Sequence, residues 1–221
     1  RLGIAFIRGL QGDDPKYLKV IATSKHYAVH SGPEPKRHVF DAQASDRDLY
    51  ETYLPHFRAT VVEGNVYSIM GAYNRFRGES ASAHQFLLQD LLRGRWGFDG
   101  YVVSDCGAIR DIHASHKIVK TAAEASALAI RRGCDLECGN EYRSLADAIR
   151  QGLLTEKELD VSVKRLFTAR MKLGMFDPPE LVRWARIPYS VNDSPANARM
   201  AEEAARKSIV LLKNSGGALP L

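Results

Sequence analysis

The 221-residue sequence predicts an α/β protein. Short apolar runs rich in valine, isoleucine and aromatic residues alternate with longer segments whose apolar residues recur at helical spacing. Polar side chains also follow several of these runs, at the strand ends where ligands gather in parallel sheets. The alternation leaves two architectures, a doubly wound sheet or a (β/α)₈ barrel, both with right-handed crossovers. Chemistry at the ends of several strands favours the barrel, and the predicted four strand-helix units would be half of one.

Composition excludes several classes of function. The hydrophobic share of 45% and charged share of 26% are ordinary for a globular protein. The net charge is +5, and the basic residues are scattered among acidic ones. This pattern indicates solvated helix faces and argues against a nucleic-acid partner, which would need a cluster of basic residues. No apolar run reaches the roughly 20 residues of a membrane span. The histidines lack metal-site spacing, so we expect neither metal nor cofactor.

The three cysteines are too few for a scaffold built on disulfides. Cys106 and Cys138 follow comparable strand ends, and the sequence leaves open whether they pair. The chain starts at Arg1 without an initiator methionine, and residues 3–10 fit the end of a helix closed by Gly12. Because both ends look cut, we expect an internal piece of a larger protein, with any signal peptide out of view.

The first unit has a strand over residues 19–27 with Lys25 and His26 at its carboxyl end. The following loop, residues 30–44, is rich in histidine, proline and charge, and loops of this length are often functional. Apolar residues at helical spacing then predict a helix that is kinked at Pro55.

The second unit has a strand over residues 66–73, a polar loop over 74–82 and a helix over 84–96. The third strand, residues 101–103, is a short apolar run that follows a tight turn and is typical of a strand buried on both faces. It ends in Ser-Asp-Cys-Gly, so that Asp105 lies just beyond its carboxyl end.

An alanine-rich helix over residues 121–133 completes the third unit. The fourth has a short strand over 133–137 and a helix over 145–153. Thr155 and the glutamates that follow it indicate the capped start of a long helix that ends at Gly174. Beyond this helix the proline-rich residues predict a linker over 176–195, then a helix over 196–207 and a strand over 208–212.

Five side chains are candidates for a site, each with a structural alternative. Asp105 is either a reacting carboxylate or the cap of a following turn. Lys25 either keeps a nearby acid ionised or extends its ammonium group to solvent. His26 is either a hydrogen-bonding group of the site or a core histidine whose hydrogen bonds are made within the protein. Tyr73 and Met70, at the end of the second strand, are more often core residues when taken singly.

The chain contains, in this order, the phrases TSKHYAVHSGPE, SIMGAYNRFRG, GFDGYVVSDCGAI and SIVLLKNSGGALPL. They resemble phrases of the glycoside hydrolase family 3 β-glycosidases. The resemblance implies a (β/α)₈-type barrel followed by an α/β sandwich domain. Residues 1–175 would supply the second half of the barrel, 176–207 the interdomain linker and 208–221 the start of the sandwich.

The resemblance implies a retaining exo-β-glycosidase that releases glucose or xylose from the non-reducing ends of oligosaccharides or aryl glycosides. Asp105 matches the family's nucleophile, while Lys25 and His26 match the pair that hydrogen-bonds the sugar where cleavage occurs. Tyr73 and Met70 match residues that line this subsite. The acid/base glutamate is expected beyond Leu221, so the isolated piece should be nearly inactive. The family also suggests a secreted or periplasmic protein.

Two departures refine the expectation. Cys106 stands where many β-glucosidases of the family have tryptophan and resembles the β-xylosidase branch, so the choice between glucosides and xylosides stays open. Lys25 and His26 are followed by Tyr27 and Ala28, unlike the phrase of the family's β-N-acetylglucosaminidases. The alternative is a carbohydrate-binding module without turnover, but an intact Ser-Asp motif argues against it.

Overall fold

The computed structural model describes residues 1–30, 32–217 and 219. These form two compact units, Arg1–Pro178 and Pro179–Leu221. The first unit contains the predicted strand-helix alternation, and the α/β class is confirmed. Its strands are β1 (Thr23–Tyr27), β2 (Asp41–Ala42), β3 (Ser68–Gly71), β4 (Arg75–Phe76), β5 (Glu79–Ser80) and β6 (Tyr101–Val103).

The helices lie close to their predicted positions. Two are π-helices, Leu49–Tyr53 and Gln85–Arg95, and Pro55 begins a new helix after a break at Leu54, as its ring predicts. The α-helices are α1 (Leu2–Gln11), α2 (Asp46–Asp48), α3 (Pro55–Val62), α4 (Ala108–Ala114), α5 (Ala122–Arg132), α6 (Leu145–Arg150), α7 (Glu156–Lys172) and α8 (Pro195–Ser208).

The helices begin and end where local chemistry predicts. Thr121 and Thr155 each accept a hydrogen bond from a backbone N–H three residues on, and the glutamate at that position bonds back to the cap. Such capping boxes satisfy donors that a helix start leaves unpaired. Gly133 ends α5 with a φ of 91°, a left-handed conformation that glycine adopts without strain.

The central sheet has three parallel strands in the order β1-β3-β6. Ser68 of β3 lies opposite Thr23 on one side and Tyr101 on the other. The close approach of β3 and β6 requires Gly100, because a Cβ there would clash with the carbonyl of Tyr67. The three carboxyl ends therefore meet at one edge of the sheet.

The core joins this sheet to its helices. Tyr27 at the end of β1 is fully buried, packs edge-on against Phe57 of α3 and donates its hydroxyl to the Leu87 carbonyl at 2.9 Å. One tyrosine thus connects the strand to two helical segments. The same cluster of buried residues includes Ile69 and Val102 from the sheet and Leu87, Leu88, Leu91 and Leu92 from the π-helix.

The predicted fourth strand over 133–137 is wrong in extent. The structure has a single parallel bridge, Leu136 to Val103. The backbone turns away after this bridge, because Glu137 accepts hydrogen bonds from the N–H groups of Glu141 and Tyr142. The side chain thereby closes a turn where a strand would continue.

Two further elements differ from the predictions. The loop over 74–82 contains a small hairpin of β4 and β5, and β2 pairs with β4 to complete a second three-stranded sheet. Helix α4 follows Asp105 directly, where the sequence indicated only a turn.

Asp135 is a buried hub that fixes the sheet to α7. Its carboxylate accepts hydrogen bonds from the Val102 N–H at 2.9 Å and the Ser162 hydroxyl at 2.9 Å. Arg93 and Arg165 lie 2.7 and 2.8 Å from its two oxygens. Burial lowers the pKa of Arg93 to about 10, which still leaves it charged at neutral pH. Four donors fill the acceptor sites of one carboxylate.

The second unit contains three short 3₁₀ turns, Pro179–Leu181, Arg183–Arg186 and Tyr189–Val191, and then α8. The predicted helix is confirmed. Residues 209–214 have no regular structure, because a strand needs a partner and none pairs with them among the described residues. Of the predicted start of a further domain, 208–221, residues Ala218, Pro220 and Leu221 lie outside the described part. Across the described residues, every helix is too short or too polar to cross a bilayer.

Candidate active site

The structure places the candidate residues at the carboxyl edge of the central sheet. Lys25 and His26 are in β1, Met70 is in β3, Tyr73 follows β3 and Asp105 follows β6. Because these strands are parallel, their ends deliver side chains from three separate segments to one region. His26, Tyr73 and Asp105 form the centre of this cluster.

Asp105 is nearly buried, with an exposed fraction of 8%. Its Oδ2 lies 3.2 Å from His26 Nε2, and its Oδ1 accepts a 2.8 Å hydrogen bond from the Cys106 N–H. Burial lowers the pKa of His26, although the negative charge of Asp105 opposes this effect. His26 is therefore neutral at pH 7, and its Nε2–H can donate to the carboxylate.

Tyr73 lies beside the same carboxylate. Its hydroxyl donates to the Cys106 carbonyl at 3.0 Å. Burial raises the pKa of Tyr73, and so does the negative charge of Asp105. Tyr73 thus stays protonated and presents a hydroxyl next to Asp105.

Lys25 and Met70 are less closely involved. Lys25 is exposed and lines a cavity of about 220 Å³ together with His26, His30 and His56. Its positive charge helps to lower the pKa of His26, and within the described residues it makes no ion pair. Met70 is half-buried and lies opposite Val103 in the sheet.

A disulfide fixes the segment that carries Asp105. Cys106 and Cys138 are bonded, with their Cα atoms 4.3 Å apart, which resolves the pairing that the sequence left open. The Cys138 N–H donates to the Ser104 hydroxyl at 3.1 Å, and its carbonyl accepts from the Gly107 N–H at 2.6 Å. Gly107, with a φ of 81°, is the N-cap residue of α4.

Several residues near the site were not predicted. Arg37 and His38, from the long loop after β1, both contact the ring of Tyr73, and His38 pairs with Asp111 of α4. The available signal was the histidine-rich composition of that loop.

The third cysteine, Cys134, is buried, and burial raises the pKa of its thiol to about 12, so it is unreactive.

A cavity of about 380 Å³ lies at the opposite ends of the strands. Tyr67 and Phe98, just before β3 and β6, line it together with Lys172. It contains none of the candidate residues. The described residues include no cluster of three histidine, cysteine or acidic side chains arranged to hold a metal ion.

The family is decided by a match to the sequence model of the glycosyl hydrolase family 3 N terminal domain, which covers residues 1–169. The chain belongs to this family. It is 45% identical to a xylan 1,4-β-xylosidase of Xylanibacter ruminicola, over the whole chain and 26% of that protein. The resemblance found in the sequence is thereby confirmed.

Solved structures of this family superimpose closely on the chain. A GH3 exo-β-xylosidase in complex with a xylobiose aziridine activity-based probe gives a TM-score of 0.91 at 36% identity, over 96% of this chain and 28% of that one. A β-glucosidase from Listeria innocua in complex with glucose gives 0.87 at 31% identity, over 100% and 31%. The chain spans only about a quarter to a third of these relatives.

Proposed function

We propose that this chain carries the nucleophile and part of the sugar subsite of a retaining exo-β-glycosidase. The observation that carries the proposal is Asp105: a carboxylate at the end of a buried strand, 3.2 Å from a neutral histidine, in a member of glycosyl hydrolase family 3. Burial and fixed donors hold it in one orientation, as a nucleophile requires.

In the proposed reaction, Asp105 attacks the anomeric carbon of a β-glycoside and forms a glycosyl-enzyme bond. A second carboxylic acid protonates the leaving oxygen, and in the next step it takes a proton from the water that releases the sugar. In retaining enzymes the two groups are about 5 Å apart. We assign the second group to a part of the protein outside these 221 residues.

The neighbours of Asp105 would bind the sugar. Exposed Lys25 can donate hydrogen bonds to its hydroxyls, and His26 can accept one at Nδ1 while its Nε2–H stays on Asp105. Tyr73 and Met70 would line the subsite. Donors held in place stabilise the oxocarbenium-like transition state more than the ground state, because they need not reorganise during the reaction.

We propose β-xylosides as the preferred substrates and β-glucosides as the second choice. The Xylanibacter ruminicola relative and the structural relative bound to a xylobiose-derived probe support this choice. Cys106 also supports it, because it stands where the resemblance places tryptophan in many β-glucosidases of the family. A single hydroxymethyl group separates the two sugars, so the shape of the pocket decides between them.

We also propose that the chain is half of a barrel. Within the described residues β1 pairs only with β3, which leaves one edge of the parallel sheet open for a further strand. Residues 1–175 would form this half, 176–207 the linker and 208–221 the start of the second domain. The rest of the barrel and the second domain would then be partners within the same protein.

The nucleophile can be tested by chemical rescue in the full-length protein. Asp105→Gly should abolish hydrolysis of an aryl β-xyloside, and added azide should restore consumption of the substrate with α-xylosyl azide as the product. Azide takes the place of the carboxylate and attacks the face that Asp105 would attack. Asp147→Gly, at an exposed carboxylate in α6, is the control and should keep wild-type turnover.

Three results would contradict the proposal. The first is a β-configured azide product, since it would mean that attack comes from the other face. The second is turnover by Asp105→Gly without azide. The third is sugar binding without any product in the wild-type protein, which would favour the carbohydrate-binding alternative.

A further inference from the structure

Tyr73 is fixed from two sides. Its hydroxyl donates to the Cys106 carbonyl, and its ring lies edge-on to the imidazole of His38 with 4.6 Å between the centroids. A T-shaped arrangement is one of the geometries that aromatic rings prefer. The orientation of this tyrosine beside Asp105 therefore depends on where His38 lies.

His38 is itself held by a carboxylate. Its Nδ1 lies 2.7 Å from Asp111 Oδ2, and the other oxygen of Asp111 accepts from the Ser115 hydroxyl at 2.9 Å. Asp111 is 6% exposed. A buried carboxylate that is already oriented by a hydroxyl is a rigid acceptor, so it fixes the imidazole plane.

A second histidine nearby does not compete for this carboxylate. Burial lowers the pKa of His116 to about 4, so this residue is neutral at pH 7 in spite of the Asp111 charge. Neither ring nitrogen of His116 bonds to the Asp111 carboxylate, which His38 and Ser115 contact.

The His38–Asp111 pair connects segments that follow the two outer strands of the central sheet. His38 comes from the loop after β1 and Asp111 from the helix after β6, and these strands are separated by β3, which Tyr73 follows. The His38–Asp111 pair thus joins the two outer segments above the middle strand. The half-exposed imidazole lies at the boundary between Tyr73 and solvent.

We propose that His38, oriented by Asp111, is a positioning residue that fixes Tyr73 as one wall of the sugar subsite. This inference rests on the proposed function, in which Tyr73 contacts the glycoside. His38 acts through Tyr73 and does not touch the reacting atoms. Misplacing a group that contacts substrate by about 1 Å can lower the rate about 100-fold.

The test is a double-mutant cycle in the full-length protein with an aryl β-xyloside. His38→Ala should lower kcat/KM about tenfold in the wild-type background, since only the orientation of Tyr73 is lost. In a Tyr73→Ala background the same substitution should change kcat/KM less than twofold. An equal loss in both backgrounds would show that His38 does not act through Tyr73 and would overturn the inference.

Two further variants separate positioning from folding. His38→Asn keeps a donor for Asp111 but lacks the ring, so it should keep the wild-type melting temperature and still lose about tenfold in kcat/KM. His113→Ala breaks another histidine-carboxylate pair on α4, with Glu141 at 3.2 Å, and should change kcat/KM less than twofold. Wild-type kcat/KM in a folded His38→Asn protein would overturn the inference.

Xylose binding measured by calorimetry keeps the two proposals separate. The His38–Tyr73 coupling should also be present in the Kd for xylose, which requires no turnover. Coupled Kd values with an inactive wild type would refute the proposed reaction but support the positioning role. An active wild type with additive effects on both Kd and kcat/KM would refute only the positioning role.

Discussion

Asp105 and Asp135 are both buried aspartates beside β6, yet their surroundings are opposite. Asp135 receives four hydrogen bonds, two of them from arginines, and its side chain is fully buried. Asp105 accepts one from the backbone and can accept one from the Nε2–H of neutral His26, and 12% of its side chain is exposed. A carboxylate with all acceptor sites filled holds structure together; one with a free lone pair can react.

The largest expected effect comes from Asp105→Asn in the full-length protein. The amide cannot act as a nucleophile, so kcat on an aryl β-xyloside should fall roughly 10³- to 10⁴-fold. The melting temperature should change little, because few hydrogen bonds depend on this carboxylate. Kinetics and a thermal melt on the same sample measure both. A large loss of stability with retained activity would reverse the comparison.

Asp135→Asn should do the opposite. Removing the negative charge leaves Arg93 and Arg165 buried without a counterion, which we expect to lower the free energy of unfolding by about 3–5 kcal/mol. Denaturant titration of the full-length protein measures this, with Asp147→Asn as a surface control. The molecules that remain folded should keep a wild-type KM. A stable Asp135→Asn protein without activity would place Asp135 in the chemistry.

The disulfide lies in the region of Asp105, because Cys106 is the next residue in the chain. Cys106 and Cys138 are 32 residues apart, and closing a loop of that length stabilises a protein by about 3–4 kcal/mol in the chain-entropy model. The Cys106→Ser/Cys138→Ser protein should therefore unfold at lower denaturant concentration. It should also have a higher KM, since Asp105 and the carbonyl that binds Tyr73 are adjacent to the bridge. Reducing agent should reproduce both effects in the wild type and neither in the double variant.

The sequence predicts the position of Asp105 at a strand end, but it does not predict the contacts that hold the surrounding segments in place. A short apolar strand bounded by turns is a local signal, and the residues that follow such a strand can be read directly along the chain. The prediction of the fourth strand was wrong because the Glu137 side chain closes a turn by bonding to backbone N–H groups. The periodicity of the sequence carries no signal for such a turn. The β4–β5 hairpin was not predicted because each of its strands has two residues, too few to show alternation. The pairing of β2 with β4 joins segments that a long stretch of chain separates. The His38–Asp111 pair spans 73 residues, and no pattern along the chain joins its members. The half-barrel and the site roles stay predictions.

The smallest expected effects come from two tyrosine hydroxyls, one on each side of the comparison. Tyr73 donates to Cys106 beside Asp105, and Tyr142 donates to the Cys134 carbonyl at 2.6 Å, next to Asp135. Tyr142→Phe should lower the free energy of unfolding by about 1–2 kcal/mol, since it leaves a buried carbonyl unpaired. Tyr73→Phe keeps the ring and its contact with His38, so it should lower kcat/KM about three- to tenfold with little change in stability. If Tyr73→Phe lost stability and kept kcat/KM, the carboxyl edge of the sheet would be held together in the same way as the Asp135 hub, and the distinction between the two regions would fail.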